Sequence, residues 1–100
     1  MATLSANFGR GNDREVMAAI GLRLAGLRKS QRRTQVALAT ETGLSRQTVA
    51  AAERGQNPTL LTIVRLLRAF GRLDALTQFV PEPEISPMAL ITPPRRTRRG

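Results

Sequence analysis

The chain of 100 residues lacks cysteine, histidine, tryptophan and tyrosine altogether, and its only aromatic residues are three phenylalanines. Without cysteine or histidine it has no disulfide, no thiolate nucleophile, no zinc site of the usual kinds and no histidine general base. It has only seven carboxylates, and three of them, Asp13, Glu15 and Glu53, are directly beside an arginine. We therefore expect a binding module that is not an enzyme and that uses no cofactor.

Long hydrophobic runs are also missing, because arginines interrupt the apolar stretches every few residues. No stretch approaches the ~20 apolar residues that a membrane-spanning helix needs. Residues 1–14 show no basic start followed by an apolar run, so they do not have the pattern of a secretory signal. We expect a cytoplasmic protein with no membrane partner.

Positive charge is in excess: 16 Lys and Arg residues against 7 Asp and Glu residues give a formal net charge of +9. Residues 1–80 carry 12 basic and 5 acidic residues (+7), and residues 81–100 carry 4 and 2 (+2). Such a charge favours a polyanionic partner, namely nucleic acid, an acidic lipid surface or an acidic protein. Most of the excess belongs to the part of the chain that is predicted to fold.

Composition divides the chain into three parts. Residues 1–12 contain two glycines, two asparagines and scattered apolar residues, which is typical of a flexible arm. Residues 13–80 have helical periodicity and form the one predicted domain. Residues 81–100 contain prolines, a short apolar run and four arginines, which indicates an extended or disordered tail.

Five helices are predicted in this domain, so the fold class is all-α. Asp13 is the expected N-cap of the first helix, whose apolar stripe consists of Val16, Ile20, Leu24 and Leu27. Its glycines, Gly21 and Gly26, either weaken the helix or allow close packing against it. A capping hydroxyl precedes and a glycine follows each of the next three helices, predicted over 35–42, 46–54 and 60–70. The fifth helix is short and covers about 73–79.

The second and third helices carry a specific spacing of small and apolar residues. Two helices that cross at about 100° need a small residue at the crossing, which Ala39 supplies. The turn needs a residue that accepts a left-handed backbone, which Gly43 supplies, and the second helix needs an apolar anchor, which Val49 supplies. This spacing predicts a helix-turn-helix, whose second helix enters the DNA major groove with its N-terminus first.

The segment TQVALATETGLSRQTVAAAERGQNPTLLTIVRLLRAFG, residues 34–71, resembles the Xre family of lambda-repressor and Cro-like helix-turn-helix domains. The family pattern is matched at Thr34, Gln35, Leu38, Ala39, Gly43, Leu44, Ser45, Val49, Glu53 and Gly55. The likeness covers about residues 17–79 and implies a compact five-helix DNA-binding domain. Ala52 departs from the pattern, since the family has a larger apolar residue there, and we expect a leucine of the fourth helix to fill the space.

The resemblance implies which residues read bases. Family-like docking directs Arg46 and Gln47 at base edges, where Arg pairs with guanine and Gln with adenine. The alternative is that both are solvated residues at an exposed helix start. Ala51, one turn further on, either touches a thymine methyl or is neutral, partly buried surface.

The resemblance also implies contacts to the phosphate backbone. Gln35 matches the family residue that binds a phosphate at the start of the second helix, where the helix N-terminus also favours an anion. Ser45 is first a helix cap and second a phosphate ligand, and Thr48 either faces a phosphate or caps locally. Arg54 and Asn57 flank the turn after the third helix, where Arg54 is a phosphate clamp or a solvated cation.

Other charged residues have structural alternatives. Glu53 repels DNA, so we expect it to hold the domain together through an ion pair or hydrogen bonds, for example with an arginine of the first helix. The cations Arg28, Lys29, Arg32 and Arg33 either contact phosphate or form a solvated face. The four arginines of the tail either add non-specific phosphate contacts or only solvate the chain end.

The end of the domain predicts a homodimer. In the family this region often forms the two-fold contact, so Leu73, Leu76 and Phe79 are the predicted interface. Residues 82–91 fit an extended strand, a docking peptide or a disordered linker. Antitoxins of the HipB type are similar in plan, which would make a HipA-type toxin kinase a partner.

These observations together predict a dimeric, sequence-specific transcriptional repressor that binds double-stranded DNA at a near-palindromic operator and represses its own operon. Two other functions fit the same fold. One is a protein-interaction adaptor that no longer binds DNA, and the other is a non-specific nucleic-acid-binding protein.

Overall fold

A computed structural model describes residues 11–84 of the chain. Within them the protein has five α-helices and one 3-10 turn, and no strand. The helices are α1 (Asp13–Ser30), α2 (Gln35–Thr42), α3 (Arg46–Glu53), α4 (Leu60–Phe70) and α5 (Leu76–Phe79), and the 3-10 turn Leu73–Ala75 precedes α5. The all-α fold expected from the sequence is confirmed. The predictions for residues 1–10 and 85–100 lie outside the described residues.

The cap of α1 differs from the prediction by one residue. Asn12, not Asp13, is the N-cap, because its side chain accepts a hydrogen bond from the Glu15 backbone N–H at 2.9 Å. The Glu15 carboxylate accepts in return from the Asn12 backbone N–H at 3.1 Å. This reciprocal capping box satisfies two backbone donors at once, while Asp13 takes the first helical position, where its charge suits the helix dipole.

The next three helices begin at the hydroxyl caps predicted. The hydroxyls of Thr34, Ser45 and Thr59 each accept from the backbone N–H of the residue three positions later. Gly43 ends α2 with a left-handed backbone, φ 77°. The predicted fifth helix is divided, since only Leu76–Phe79 is α-helical and the turn before it is 3-10.

The core lies where α1, α2, α3 and α4 meet. Its buried side chains are Leu24, Leu38, Ala39, Val49, Ala52, Leu66 and Phe70. Ala52 is only 1 % exposed and belongs to the same cluster as Leu66 of α4. The small residue that departs from the family pattern is therefore fully enclosed, and α3 remains anchored through Val49 and Ala52.

Two glycines bring α1 against the end of α3. A Cβ added to Gly21 would lie 2.5 Å from the carbonyl oxygen of Glu53, and one added to Gly55 would lie 2.6 Å from that of Met17. Gly55 also has a left-handed φ of 73°. The two backbones therefore approach more closely than any side chain would allow, which fixes the end of α3 against α1. Gly21 thus has the close-packing role, whereas a Cβ on Gly26 would meet no atom within 4 Å.

Candidate nucleic-acid interface

The helix-turn-helix is formed by α2, the turn at Gly43–Ser45, and α3. The backbone N–H of Leu44 donates to the Ala39 carbonyl at 3.1 Å, which closes the turn. Ala39 and Val49 are buried at 6 % and 0 % exposure. The crossing residue, the turn glycine and the apolar anchor therefore occupy the places that their spacing predicted.

The N-terminal end of α3 faces solvent. Arg46 and Gln47 are both exposed there, and Ala51, one turn later, is half-buried. The hydroxyl of Ser45 accepts from the Thr48 N–H at 3.0 Å and lies 2.8 Å from the Thr48 hydroxyl. Ser45 therefore caps the helix, as expected, and Thr48 takes part in the local capping arrangement. The side chains of Arg46 and Gln47 are therefore open to solvent at the capped start of α3.

A buried ion pair joins α1 to the end of α3. Arg28 donates to Glu53 twice, from Nε to Oε2 at 2.6 Å and from Nη2 to Oε1 at 3.1 Å. The side chains are only 12 % and 8 % exposed. Arg28 also donates from Nη1 to the Arg33 carbonyl at 2.9 Å. The expectation that Glu53 pairs with an arginine of the first helix is confirmed, and Arg28 acts within the fold.

The contacts of Glu53 lower its pKa. Burial by itself would raise the pKa, but the hydrogen bonds from Arg28 and Gln35, together with the charges of Arg28 and Lys29, lower it below its ordinary value. The same contact raises the pKa of Arg28, chiefly through its hydrogen bonds to Glu53. The pair is therefore fully ionised near neutral pH.

Gln35 connects the ion pair to the tip of α3. Its Nε2 donates to Glu53 Oε1 at 3.0 Å, and its Oε1 accepts from Arg46 Nη1 at 3.2 Å. A continuous hydrogen-bonded chain thus runs from Arg28 through Glu53 and Gln35 to Arg46. Sequence reasoning placed each of these residues but missed the link between them, because the contacts join positions far apart in the chain.

The remaining candidate phosphate ligands lie after α3. Arg54 is exposed and donates from Nη2 to Gln56 at 3.2 Å. Asn57 is exposed with a positive φ of 48°, a conformation that asparagine accepts more readily than most residues. Both side chains are on the surface, and their contact with phosphate stays a prediction.

The cations between α1 and α2 divide into two groups. Arg33 pairs with Glu41 and donates to the Ala69 carbonyl at 2.8 Å, so it ties α2 to the end of α4. Arg28 is bound to Glu53, as described above. Lys29 and Arg32 are exposed. Half of this basic run therefore stabilises the fold.

The predicted dimer residues are partly exposed. Leu73 and Phe79 are 38 % and 53 % exposed, and Leu76 is half-buried. These three side chains therefore leave apolar surface accessible to solvent at the end of the described domain.

The helix-turn-helix family matches residues 24–75, from the second half of α1 through the 3-10 turn. The chain therefore belongs to this family, which is that of the Xre and lambda-repressor type and consists of DNA-binding regulators. No curated protein and no solved structure matches the chain significantly. Among residues 11–84, no helix has the length and apolar character to cross a membrane.

Proposed function

We propose that this protein is a sequence-specific transcriptional repressor that binds an operator in double-stranded DNA as a homodimer and regulates its own gene. The observation that carries the proposal is the exposed tip of α3, where Arg46 donates to Gln35, which in turn donates to Glu53. A hydrogen bond that restricts an arginine side chain reduces the freedom that it loses when it binds a guanine edge.

Phosphate contacts would position this helix in the groove. The Gln35 amide has two N–H donors and gives one to Glu53, so the second remains for a phosphate oxygen. Ser45 and Thr48 at the start of α3, and Arg54 and Asn57 after it, supply further polar groups. Such contacts would fix the orientation of the protein on the duplex, while base contacts from Arg46, Gln47 and Ala51 would determine which DNA sequence is preferred.

A homodimer through Leu73, Leu76 and Phe79 would place two copies of α3 on one face of the duplex. Each copy would read one half-site, and the half-sites would lie about one helical turn apart. The partly exposed leucines and phenylalanine support this surface, since partner contacts would cover them.

Selection of bound sites from random duplex DNA with the purified protein tests the proposal. We expect enrichment of a near-palindromic site, with a guanine preference in each half-site that Arg46→Ala removes. Arg46→Ala should cost about 1–3 kcal/mol on the selected site. No enrichment at low salt would contradict the proposal, and an unchanged preference with Arg46→Ala would contradict the base-reading assignment.

Binding of the purified protein to selected and to scrambled DNA distinguishes two other functions from the repressor. A non-specific nucleic-acid-binding protein would bind selected and scrambled DNA with equal affinity. A protein-interaction adaptor would bind neither at low salt, where phosphate contacts are strongest. The exposed Arg46 and Gln47 favour the repressor over both.

An antitoxin role of the HipB type is a narrower form of the proposal. It rests on the plan of the chain, a helical domain followed by a short extension. A kinase-like toxin of the HipA type, encoded beside this gene, would be the partner. Copurification of the two products from co-expressed genes, with loss of the kinase activity, is the expected result, and two separately eluting proteins would exclude this role.

A further inference from the structure

An apolar groove of about 580 Å³ lies between α1, α4 and the end of α5. Its floor is formed by Ile20, Leu24 and Leu27 of α1, by Ile63 and Leu67 of α4, and by Phe79. The volume is within the range of sites that hold drug-sized ligands, which is about 300–1,000 Å³. Covering an apolar groove of this size is favourable, because it removes apolar surface from water.

We propose that the occupant is the chain's own apolar segment, residues 85–91 (ISPMALI), folded back in cis. The segment lies outside the described residues and is separated from Phe79 by the linker 80–84. Its five apolar residues are Ile85, Met88, Ala89, Leu90 and Ile91. The docked segment would cover the groove and remove its own apolar side chains from water at the same time.

The reach of the chain fits this occupant. The groove residues of α1 run from Ile20 to Ser30, about 15 Å along the helix. The five linker residues span at most about 18 Å when extended, and the seven-residue segment about 25 Å. Because the linker starts from Phe79 at the edge of the groove, the segment reaches every part of the groove without unfolding α5.

Charge also favours this occupant. The linker carries Glu82 and Glu84, which are exposed, and two arginines line the groove, Arg23 and Arg72, of which Arg72 is paired with Asp74 at 3.1 Å. The arginines at the groove would attract the acidic linker, and this attraction is weakened by the pairing of Arg72.

The groove is separate from the proposed DNA interface and adjoins the predicted dimer surface at one residue. None of the candidate base-reading or phosphate residues lines it, and of the predicted dimer residues only Phe79 does. The proposal can therefore fail while DNA binding persists, and the reverse is also true.

The absence of native cysteine allows a direct test in the full chain. A nitroxide attached to Thr92→Cys should broaden the methyl NMR signals of Leu27, Ile63 and Leu67 until they lose most of their intensity. The methyl signals of Val36 and Leu44, which lie on α2 and in the turn, serve as internal references and should keep their intensity.

A groove-blocking variant and a matched control sharpen the test. Gly26 lines the groove, and a Cβ there meets no atom within 4 Å, so Gly26→Phe adds an aromatic ring at the groove and should compete with the segment. We expect it to restore the broadened signals. Leu22→Phe places the same ring on an exposed position of α1 outside the groove and should leave the broadening unchanged. A thermal melt of each variant establishes that it is folded.

A mixing experiment distinguishes docking of a chain's own segment from docking of the segment of a second copy. Isotope-enriched chain without nitroxide is combined with nitroxide-labelled chain that is not enriched. Broadening confined to the doubly labelled chain supports docking in cis. Broadening in the mixture would assign the groove to the segment of a second copy and overturn the proposal. Broadening in neither sample, or broadening that Gly26→Phe leaves intact, would also overturn it.

Discussion

Glu53 illustrates how a single acidic residue serves a basic DNA-binding surface. It accepts hydrogen bonds from Arg28 and Gln35, and it is only 8 % exposed. Its charge is therefore neutralised within the domain instead of facing the DNA. Removing one partner of such a pair leaves the other charge without compensation, which costs more than the pair itself contributes.

Glu53→Gln should lower stability in a pH-dependent way. The folded state lowers the pKa of Glu53 below its ordinary value of 4.5, so the ionised form contributes stability above about that pH. The contribution is lost as the pH falls through the lowered pKa. At pH 7 we expect the variant to unfold with about 2 kcal/mol less free energy than the native chain, and we expect this difference to shrink below pH 4. Urea unfolding at several pH values measures it.

The control for this prediction is Asp74→Asn. The pKa of Asp74 is also lowered by its hydrogen bonds from Arg72, but both side chains are exposed. Solvent screens such a pair, so we expect little change in stability at any pH. A deficit of Glu53→Gln that stays constant from pH 7 to pH 3 would contradict the ion-pair account.

Gly21 and Gly26 should respond in opposite directions to the same substitution. Gly26→Ala should raise the unfolding free energy by about 0.5–1 kcal/mol, because alanine favours the helix and the added Cβ meets nothing. Gly21→Ala should lower it by about 1–3 kcal/mol, because the Cβ collides with the backbone of Glu53. Urea midpoints of the two variants provide the comparison, and shifts of the same sign would refute this account of the packing.

This pair also shows where sequence reasoning ends at the scale of residues. Both glycines interrupt the same predicted helix, and the pattern of α1 does not distinguish them. What separates them is the end of α3, which approaches Gly21 and not Gly26. Such contacts depend on how helices cross, which periodicity within one helix does not contain.

At the scale of elements, the sequence predicted α2, α3 and α4 well because their starts and turns have local causes. A hydroxyl cap and a left-handed glycine act within a few residues of themselves. The predicted N-cap of α1 was wrong by one residue. Asparagine and aspartate cap equally well, and only the reciprocal hydrogen bonds with Glu15 distinguish Asn12 from Asp13 as the cap. The link from Gln35 to Arg46 was not predictable, because it requires the packing of α2 against α3.

We predict that this link couples Gln35 and Arg46 energetically in DNA binding. Gln35→Ala should weaken binding to all sequences through loss of the proposed phosphate contact, and it should also reduce the discrimination proposed for Arg46. A double-mutant cycle on the selected operator should give a coupling of about 0.5–3 kcal/mol. Gel-shift titrations with the operator and with a variant of the guanine position measure both effects.

The comparison for this cycle is Gln47, the neighbouring exposed residue of α3. Gln47→Ala should alter the preference at a different base, and we expect its effect to add to that of Gln35→Ala within the error of the cycle. Additivity between Gln35→Ala and Arg46→Ala would show that the hydrogen bond between them has no role in DNA recognition.

At the scale of the whole molecule, the number of basic residues overstates the cations available to DNA. Residues 1–80 contain 12 basic residues, but two of them, Arg28 and Arg33, are bound to Glu53 and Glu41 within the domain. The exposed cations of the proposed interface, such as Arg46 and Arg54, therefore matter more than the total. Their number is accessible experimentally, because each neutralised phosphate releases a counterion.

Salt dependence should separate the cations of the interface from the others. Binding to duplex DNA weakens with a slope of about −0.9 per phosphate contact when log K is plotted against log salt. Arg54→Gln should reduce the slope by about 1 and weaken operator and scrambled DNA alike. Arg68→Gln removes the same charge from the C-terminal end of α4, beside Glu41 and Gly43. We expect this variant to have the same slope as the native chain. Equal slopes for Arg54→Gln and the native chain would exclude Arg54 as a phosphate ligand, whereas a smaller slope for Arg68→Gln would place α4 against the DNA.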